Sequence, residues 1–211
     1  MTKHFEVEVR CHFDSIDEAY RTIPFLSTCL CHKMVWSSSF YGQGLFKSGQ
    51  ILRLSMAIVD DETKYYLGWK SRDFGSFANI REEIDEIITN GISDSEILNK
   101  LGSQNINPER RQIAPILRYL GHRKFMSFKG RDLLGKYEPL DLDMKLMNCS
   151  LLRWPILVEI EKLASTMEEA LVKEKELRKF CEDYHLSNRL VREEPPTLLY
   201  ETRLPQGQQG V

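Results

Sequence analysis

No apolar run in this 211-residue chain approaches the roughly 20 residues needed to cross a bilayer as a helix. Charge of one sign is not in excess either: 29 Lys and Arg stand against 31 Asp and Glu, a formal charge of −2. Neither duplex nucleic acid nor a membrane surface is therefore expected as a partner. Cysteine is sparse, odd in number and scattered, at Cys11, Cys29, Cys31, Cys149 and Cys181. That excludes a disulfide framework and points to a reducing compartment. Cys29-Leu30-Cys31-His32 lacks a second Cys/His pair at zinc-ligand spacing, so it reads as ordinary thiols at a helix end. The start is polar, without the apolar segment of a secretory signal, and a cytoplasmic location is expected. Internal repeats and low-complexity tracts are absent. What remains is 42% hydrophobic and 28% charged, the make-up of an ordinary globular domain with its own core.

The stretch Phe5–Phe13 alternates with the period of a strand. Phe5, Val7, Val9, Cys11 and Phe13 share one face; Glu6, Glu8, Arg10 and His12 share the other. Taken alone, the second face could be the wet side of an antiparallel sheet. Near the other end, Ile156-Leu157-Val158-Glu159-Ile160-Glu161 repeats the pattern, again with carboxylates two residues apart on one face. Two such strands suggest that four carboxylates converge.

Between them, Ser15 with Glu18 has the spacing of a capping box for a helix that Pro24 limits. Strand character follows from Met34 until Gly42 and Gly44 break it, and again over Gln50–Ile58 and Lys64–Lys70, joined by a turn at Asp60-Asp61-Glu62. Ala78–Ile88 reads as a strand charged on both faces. A helical insert is expected at about 93–121, with one helix starting at Ser93–Glu96 and a second with Asn107 as N-cap, Pro108 at its first position and Gly121 past its end. Arg123–Arg131 is a further strand carrying Lys129 and Arg131 on one face; Asp132–Gly135 reads as a turn, and Lys136–Leu146 returns. Thr166 with Glu169 opens a helix to about Tyr184, whose docked face includes Ala170, Leu171, Leu177, Phe180 and Cys181. The last residues, 205–211, read as a disordered tail beyond a single domain spanning 1–204.

Strand after strand has one apolar face and one face of mixed charge, namely Glu6, Glu8, Arg10, Arg53, Lys70, Arg81, Glu83, Lys129, Arg131, Asp143, Glu159 and Glu161. These are either ordinary surface charges or the lining of a closed barrel with helices outside. Burying them would cost several kcal/mol each unless opposite charges or a ligand offset it. Clustered carboxylates suit a hard divalent cation, and clustered Arg and Lys suit phosphate oxygens. A lining with both suits a polyphosphate with its metal, whose chemistry rests on positioning and charge stabilisation.

The ordered set of motifs resembles the CYTH superfamily, the triphosphate tunnel metalloenzymes. Glu6-Val7-Glu8-Val9-Arg10 is similar to the N-terminal Glu-x-Glu-x-Lys signature, Leu52-Arg53-Leu54 to Leu-Arg-x-Arg, and Gly68-Trp69-Lys70 to the strand ending Thr-x-Lys. Arg81-Glu82-Glu83-Ile84-Asp85 resembles Arg-x-Glu-x-Glu, and Leu120-Gly121 with Lys129-Gly130-Arg131 resembles Leu-Gly…Lys-x-Arg. Leu142-Asp143 and Val158-Glu159-Ile160-Glu161 resemble the two closing acidic strands. The resemblance implies an α+β fold: an eight-stranded antiparallel closed β-barrel, a tunnel, with helices packed outside. It implies Mg²⁺ or Mn²⁺ held by Glu6, Glu8, Glu159 and Glu161 with Asp143 nearby, and a triphosphate held by Arg10, Arg53, Lys70, Lys129 and Arg131, with Arg81 and Glu83 also lining the substrate site. Glu6, Glu8, Arg10 and Glu161 are the catalytic candidates.

Three departures bear on activity. Arg10 replaces the signature Lys and is a poor proton-transfer group. Ser55 replaces the second Arg of Leu-Arg-x-Arg, and Ser37 to Ser39 stand where cyclase-like members often have an Asp before an aromatic pair; Asp141 could take the role given to Asp143. A C-terminal basic contact could come from Arg189 or Arg192. The expected function is a metal-dependent triphosphatase acting on inorganic triphosphate, a nucleoside triphosphate or thiamine triphosphate. A class IV-type adenylyl cyclase, a non-catalytic binder of a phosphorylated ligand, and a purely structural barrel remain open, as does monomer against homodimer.

Overall fold

The computed structural model describes residues 2–104 and 106–202; the tail expected at 205–211 lies outside them. The described residues form β1 (Thr2–Phe13), α1 (Ile16–Thr22), α2 (Leu26–Cys29), β2 (Leu30–Tyr41), α3 (Gln43–Lys47), β3 (Ile51–Val59), β4 (Glu62–Lys70) and β5 (Asn79–Ile87). The insert α4 (Glu96–Lys100) and α5 (Arg110–Tyr119) follows, then β6 (Lys124–Tyr137), β7 (Leu142–Asn148), β8 (Ile156–Ala164), α6 (Met167–Asp183) and α7 (Pro195–Glu201). The strands close into an antiparallel barrel in the order β1-β5-β4-β3-β2-β6-β7-β8. This is the α+β tunnel the sequence predicts. β1 pairs on one side with β5 and on the other with β8, so the chain's two glutamate strands are neighbours although about 150 residues separate them.

Alternation does the sorting. Val7, Val9, Cys11, Phe13, Ile80, Val158 and Ile160 point outward from the barrel into the layer that α1, α2 and α6 cover. Leu52, Leu67, Ile84 and the insert residues Ile97, Leu98, Ile113 and Leu117 form a second cluster under α4 and α5. The helix starts follow their capping residues: Ser15 accepts from the Glu18 amide, Ser95 from Leu98, and Thr166 from Glu169. On α6, Ala170, Leu177, Phe180 and Cys181 are buried as expected, but Leu171 is 46% exposed. Glu174 takes a place on the inner face instead. Its carboxylate accepts from the amides of Ser76, Phe77 and Ala78 and so clamps the loop before β5.

Two sequence expectations need correction. The second insert helix is capped by Glu109 with Gln112, not by Asn107. More consequentially, residues 132–135 are not a turn: β6 runs straight through them. Asp132 points into the barrel and accepts from the Trp36 indole at 2.8 Å, so its carboxylate serves a side chain of the neighbouring strand β2 and not the backbone of a turn. Gly135 is there for clearance, since a Cβ would stand 1.8 Å from the Cys29 carbonyl where α2 passes into β2. The turn falls at 138–141, where Asp141 is left-handed (φ 49°) and pairs with Lys136 at 2.8 Å. No described helix is long and apolar enough to cross a membrane.

Candidate functional site

The barrel registers bring the charged faces together row by row. Across β1 and β8, Glu8 stands opposite Glu161 and Arg10 opposite Glu159; across β1 and β5, Glu6 stands opposite Arg81. Across β7 and β8, Asp143 faces Glu161 and Lys145 faces Glu159. Across β4 and β5, Lys70 faces Glu83 and Gly68 faces Asp85. Gly68 is needed there: a Cβ would meet Asp85 Oδ1 at 2.4 Å and Arg53 Nε at 2.9 Å, closing the space in which that pair sits.

Like-charged residues directly opposite each other destabilise a sheet. Glu8 and Glu161 are so placed, and with Glu6 they bring one carboxylate oxygen each within 4.8 Å of one another. Burial pushes the Glu161 carboxyl well above the usual carboxylate range, with the Glu6 charge adding to the effect. Glu6 is raised too, by burial and by Glu83, although Lys70 contacts it. Three carboxylate oxygens this close together, two of the groups raised towards their protonated form even though Lys70 and Arg10 stand beside Glu6 and Glu8, fit a hard divalent cation.

The cations are held by carboxylates. Arg10, 1% exposed, contacts Glu8, Glu159 (2.9 Å) and Glu194 (2.9 Å). Arg53 Nη2 reaches Glu83 at 2.9 Å and Asp85 at 3.3 Å. Lys70 contacts Glu6 and Glu83, Lys145 contacts Glu159, and Arg81 Nε lies 3.0 Å from Glu194. Burial would raise the carboxyls of Glu83 and Glu194, but Lys70 and Arg53 hold Glu83 down, and Arg10, Lys70 and Arg81 hold Glu194 down to about 2. Glu159 is likewise lowered against burial by Lys145 and Arg10.

Of the residues expected from sequence, Glu6, Glu8, Arg10, Arg53, Lys70, Arg81, Glu83, Glu159 and Glu161 meet in this network or in the three-carboxylate group. Glu159 and Asp143 are not part of that group: Glu159 is engaged by Arg10 and Lys145, and Asp143 lies beside Lys136. Asp141 stands exposed in the β6–β7 turn. Lys129 and Arg131 are corrections: both are exposed, because the inward residues of β6 are Phe128, Gly130, Asp132 and Leu134. Arg189 and Arg192 do not enter the lumen either; they bind Glu18 and Asp73.

Four lumenal groups escaped the sequence reading: Lys145, Asp85, Asp132 and Glu194. Parity alone would have found Lys145 and Asp85, which lie two residues from Asp143 and Glu83 and so share their faces. No periodic signal marks Glu194. It arrives from the segment after α6, where the Val191 amide donates to the Arg10 carbonyl at 2.9 Å.

The open lumen is a cavity of about 350 Å³, and its lining is uneven. Glu8, Lys70, Asp85, Glu159 and Glu194 border one part; Met34, Trp36, Phe40, Ile51, Phe128, Met147 and Leu199 border the other. Ser55, in place of the expected cation, bonds to Ser38 at 2.8 Å.

No protein-family model matches the chain, and no curated protein matches it in sequence. Solved structures share its fold. The Pyrococcus horikoshii protein PH1819 superposes with a TM-score of 0.70 over 94% of this chain and 99% of that one, at 17% identity. HpAC1 from Hippeastrum, an adenylyl cyclase candidate with a dominant triphosphatase activity, gives 0.55 over 98% and 100% at 15% identity. A chain of the Schizosaccharomyces pombe Mediator head module gives 0.54 over 84% and 93% at 13% identity. At these identities the likeness is one of fold, and that fold is the tunnel that the CYTH resemblance implies.

Proposed function

We propose that this protein is a divalent-metal-dependent hydrolase of small molecules that carry a triphosphate group. The observation that carries this reading is the convergence of Glu6, Glu8 and Glu161 on one side of a lumen whose neighbouring positions hold Arg10, Arg53, Lys70 and Arg81. Glu6, Glu8 and Glu161 would hold Mg²⁺ or Mn²⁺, which would supply charge neutralisation and Lewis acidity. The chain's own part is to bind and orient. Lys70 and Arg53, kept cationic by their carboxylate partners, would hold terminal phosphate oxygens; Arg10 and Arg81 would clamp the next group. The apolar lining lowers the local dielectric beside the charged groups, which would strengthen each charge contact. HpAC1, with the same fold and a triphosphatase activity, supports the reading.

The test is incubation with inorganic triphosphate, ATP and thiamine triphosphate, each with Mg²⁺ or Mn²⁺, scoring products. Orthophosphate released only with metal is expected. Cyclic AMP with pyrophosphate would identify a cyclase instead, and no turnover of any of them would overturn the enzyme reading. A second reading, a non-catalytic tunnel that binds a phosphorylated ligand, is favoured by one observation: each of Arg10, Arg53, Lys70, Arg81 and Lys145 already has a carboxylate partner. The Mediator chain of the same fold belongs to an assembly.

A further inference from the structure

Glu194 is the lumenal carboxylate that the barrel does not supply. It is 6% exposed and stands at the start of α7, and its segment is tied over the end of β1 by the Val191 amide on the Arg10 carbonyl and a bridge between Cys11 and Leu190. Its Oε1 lies between two guanidiniums, 2.9 Å from Arg10 Nη2 and 3.0 Å from Arg81 Nε. Yet all three atoms are buried without an aligned hydrogen bond. A seat shaped for a carboxylate offers an arginine fork and two parallel bonds. Here the contacts are of charge only.

The two cations do not need Glu194 to stay in place. Arg81 Nη1 donates to the carbonyls of Gly49 at 2.8 Å and Ser71 at 2.7 Å, which leaves Nε aimed at the lumen. Arg10 keeps Glu8 and Glu159. Withdrawing Glu194 would therefore leave Arg81 Nε without its carboxylate, beside an Arg10 Nη2 still held in place, two donors that a tetrahedral oxyanion with several oxygens can bridge. The same segment brings Pro195, Pro196 and Leu199 against the apolar part of the cavity, so its departure would open both halves together. Outside the lumen it is fastened by Arg192, which binds Asp73 and the carbonyls of Phe77 (2.6 Å) and Ala78 (2.9 Å).

We infer that the segment 192–201 is an internal plug: Glu194 occupies the anion seat between Arg10 and Arg81, and a phosphate group of the ligand takes that seat by displacing it. This rests on the reading of the lumen as an anion site and adds its regulation. A triphosphate offers further oxygens to Lys70 and Arg53 that offset the displacement of Glu194, whereas a monophosphate fills only the seat itself, so a triphosphate displaces the plug far more readily than a monophosphate.

The test uses the full chain, inorganic triphosphate and orthophosphate in EDTA, and calorimetry. Glu194→Gln keeps the shape and removes the charge; triphosphate is expected to bind at least tenfold tighter than to wild type, and orthophosphate binding is expected to become measurable. Because Glu194→Gln takes the carboxylate from Arg81 and can unfold the chain, Arg192→Ala is measured beside it. That variant unfastens the plug from outside the lumen and should raise the association rate of triphosphate several-fold. Unchanged or weaker triphosphate binding by the variants overturns the plug. Hydrolysis by wild type, assayed separately with Mn²⁺, distinguishes the two readings. Turnover with equal binding by wild type and variants ends the plug and leaves the hydrolase. Tighter binding by the variants without turnover leaves the plug and ends the hydrolase, and no binding by any of them ends both.

Discussion

The wall built from β1, β4, β5 and β8 faces the lumen with Glu6, Glu8, Arg10, Lys70, Arg81, Glu83 and Glu159, whereas β2, β3 and β6 present Met34, Trp36, Phe40, Ile51, Ala57 and Phe128 with Ser38 and Ser55 among them; Arg53, on β3, reaches over to the charged wall and pairs with Glu83 and Asp85. Both walls are built by the same alternation on the same barrel, but they are stable for different reasons. On the charged wall each group is affordable only because its partner is present, since a buried ion left alone costs more than the pair gains. On the other wall each side chain contributes through its own apolar area. A charge deletion should therefore damage the first wall through what it leaves behind, and removing an exposed charge such as Lys129 or Arg131, which fastens none of the described segments, should do little.

The largest effect expected is at Arg10. Arg10→Ala strips Glu8, Glu159 and Glu194 of their common partner at a fully buried position. Urea unfolding at pH 7 should show a loss of about 3–5 kcal/mol. The loss should shrink towards pH 5 as the abandoned carboxylates take up protons. An equal loss at both pH values would mean that packing, not charge, holds this wall.

Metal comes next. Mn²⁺ at about 100 times its dissociation constant should add about 2.7 kcal/mol to unfolding stability, and Glu8→Gln should remove most of that gain. The sign with pH follows from Glu6 and Glu161, whose carboxyls burial raises. The folded metal-free chain keeps protons that the unfolded chain releases, so its stability falls as pH rises beyond the ordinary carboxylate range. A cation must displace those protons, so its stabilisation should be larger at pH 8 than at pH 5. A pH-independent gain, or one retained by Glu8→Gln, would place the metal elsewhere.

Asp132 tests the border between the walls: it hangs from the apolar side on β6 but carries charge. Burial pushes its carboxyl up to about 6, with Lys145 opposing. The folded chain thus holds a proton between about 4 and 6 that the unfolded chain does not, and stability is lost as pH rises through that window. Asp132→Asn keeps an oxygen for the Trp36 indole and removes the charge. It should stabilise by roughly 2 kcal/mol above pH 7 and by nothing measurable at pH 4. A destabilised variant at pH 8 would show that the ionised carboxylate is needed, as a partner of Lys145 or of a bound cation.

How much of this was legible in the sequence divides along the same line. The charged wall was readable because its strands have short, unambiguous alternation, as in Glu6-x-Glu8-x-Arg10 and Glu159-x-Glu161, and parity there fixes the inward face. The β6 face was misread because Asp132 and Gly135 carry turn chemistry in sequence but serve tertiary needs, a bond to Trp36 and clearance for the Cys29 carbonyl. With the turn placed six residues early, Lys129 and Arg131 looked lumenal when the apolar partners Phe128 and Leu134 were the inward set. Glu194 was invisible for a different reason: an irregular segment has no period, and only the tie of Leu190 and Val191 to β1 brings it to Arg10.

The smallest effect is also the sharpest check on which side of β6 faces inward. Lys129 pairs in register with Ser37 and Arg131 with Val35, and all four are exposed, while their neighbours Gly130 and Trp36 meet on the inner side. Surface substitutions of this kind typically shift stability by less than about 0.5 kcal/mol. The double variant Lys129→Ala/Arg131→Ala should therefore unfold like wild type and bind inorganic triphosphate with unchanged affinity. Its loss of two positive charges leaves only a long-range effect on the association rate, which 0.15 M salt, with a screening length of about 8 Å, should largely erase. A fall in affinity that persists at that salt would mean that the two side chains reach the ligand after all. The contrast drawn between a charged and an apolar wall would then have to give way to a lumen cationic on both sides.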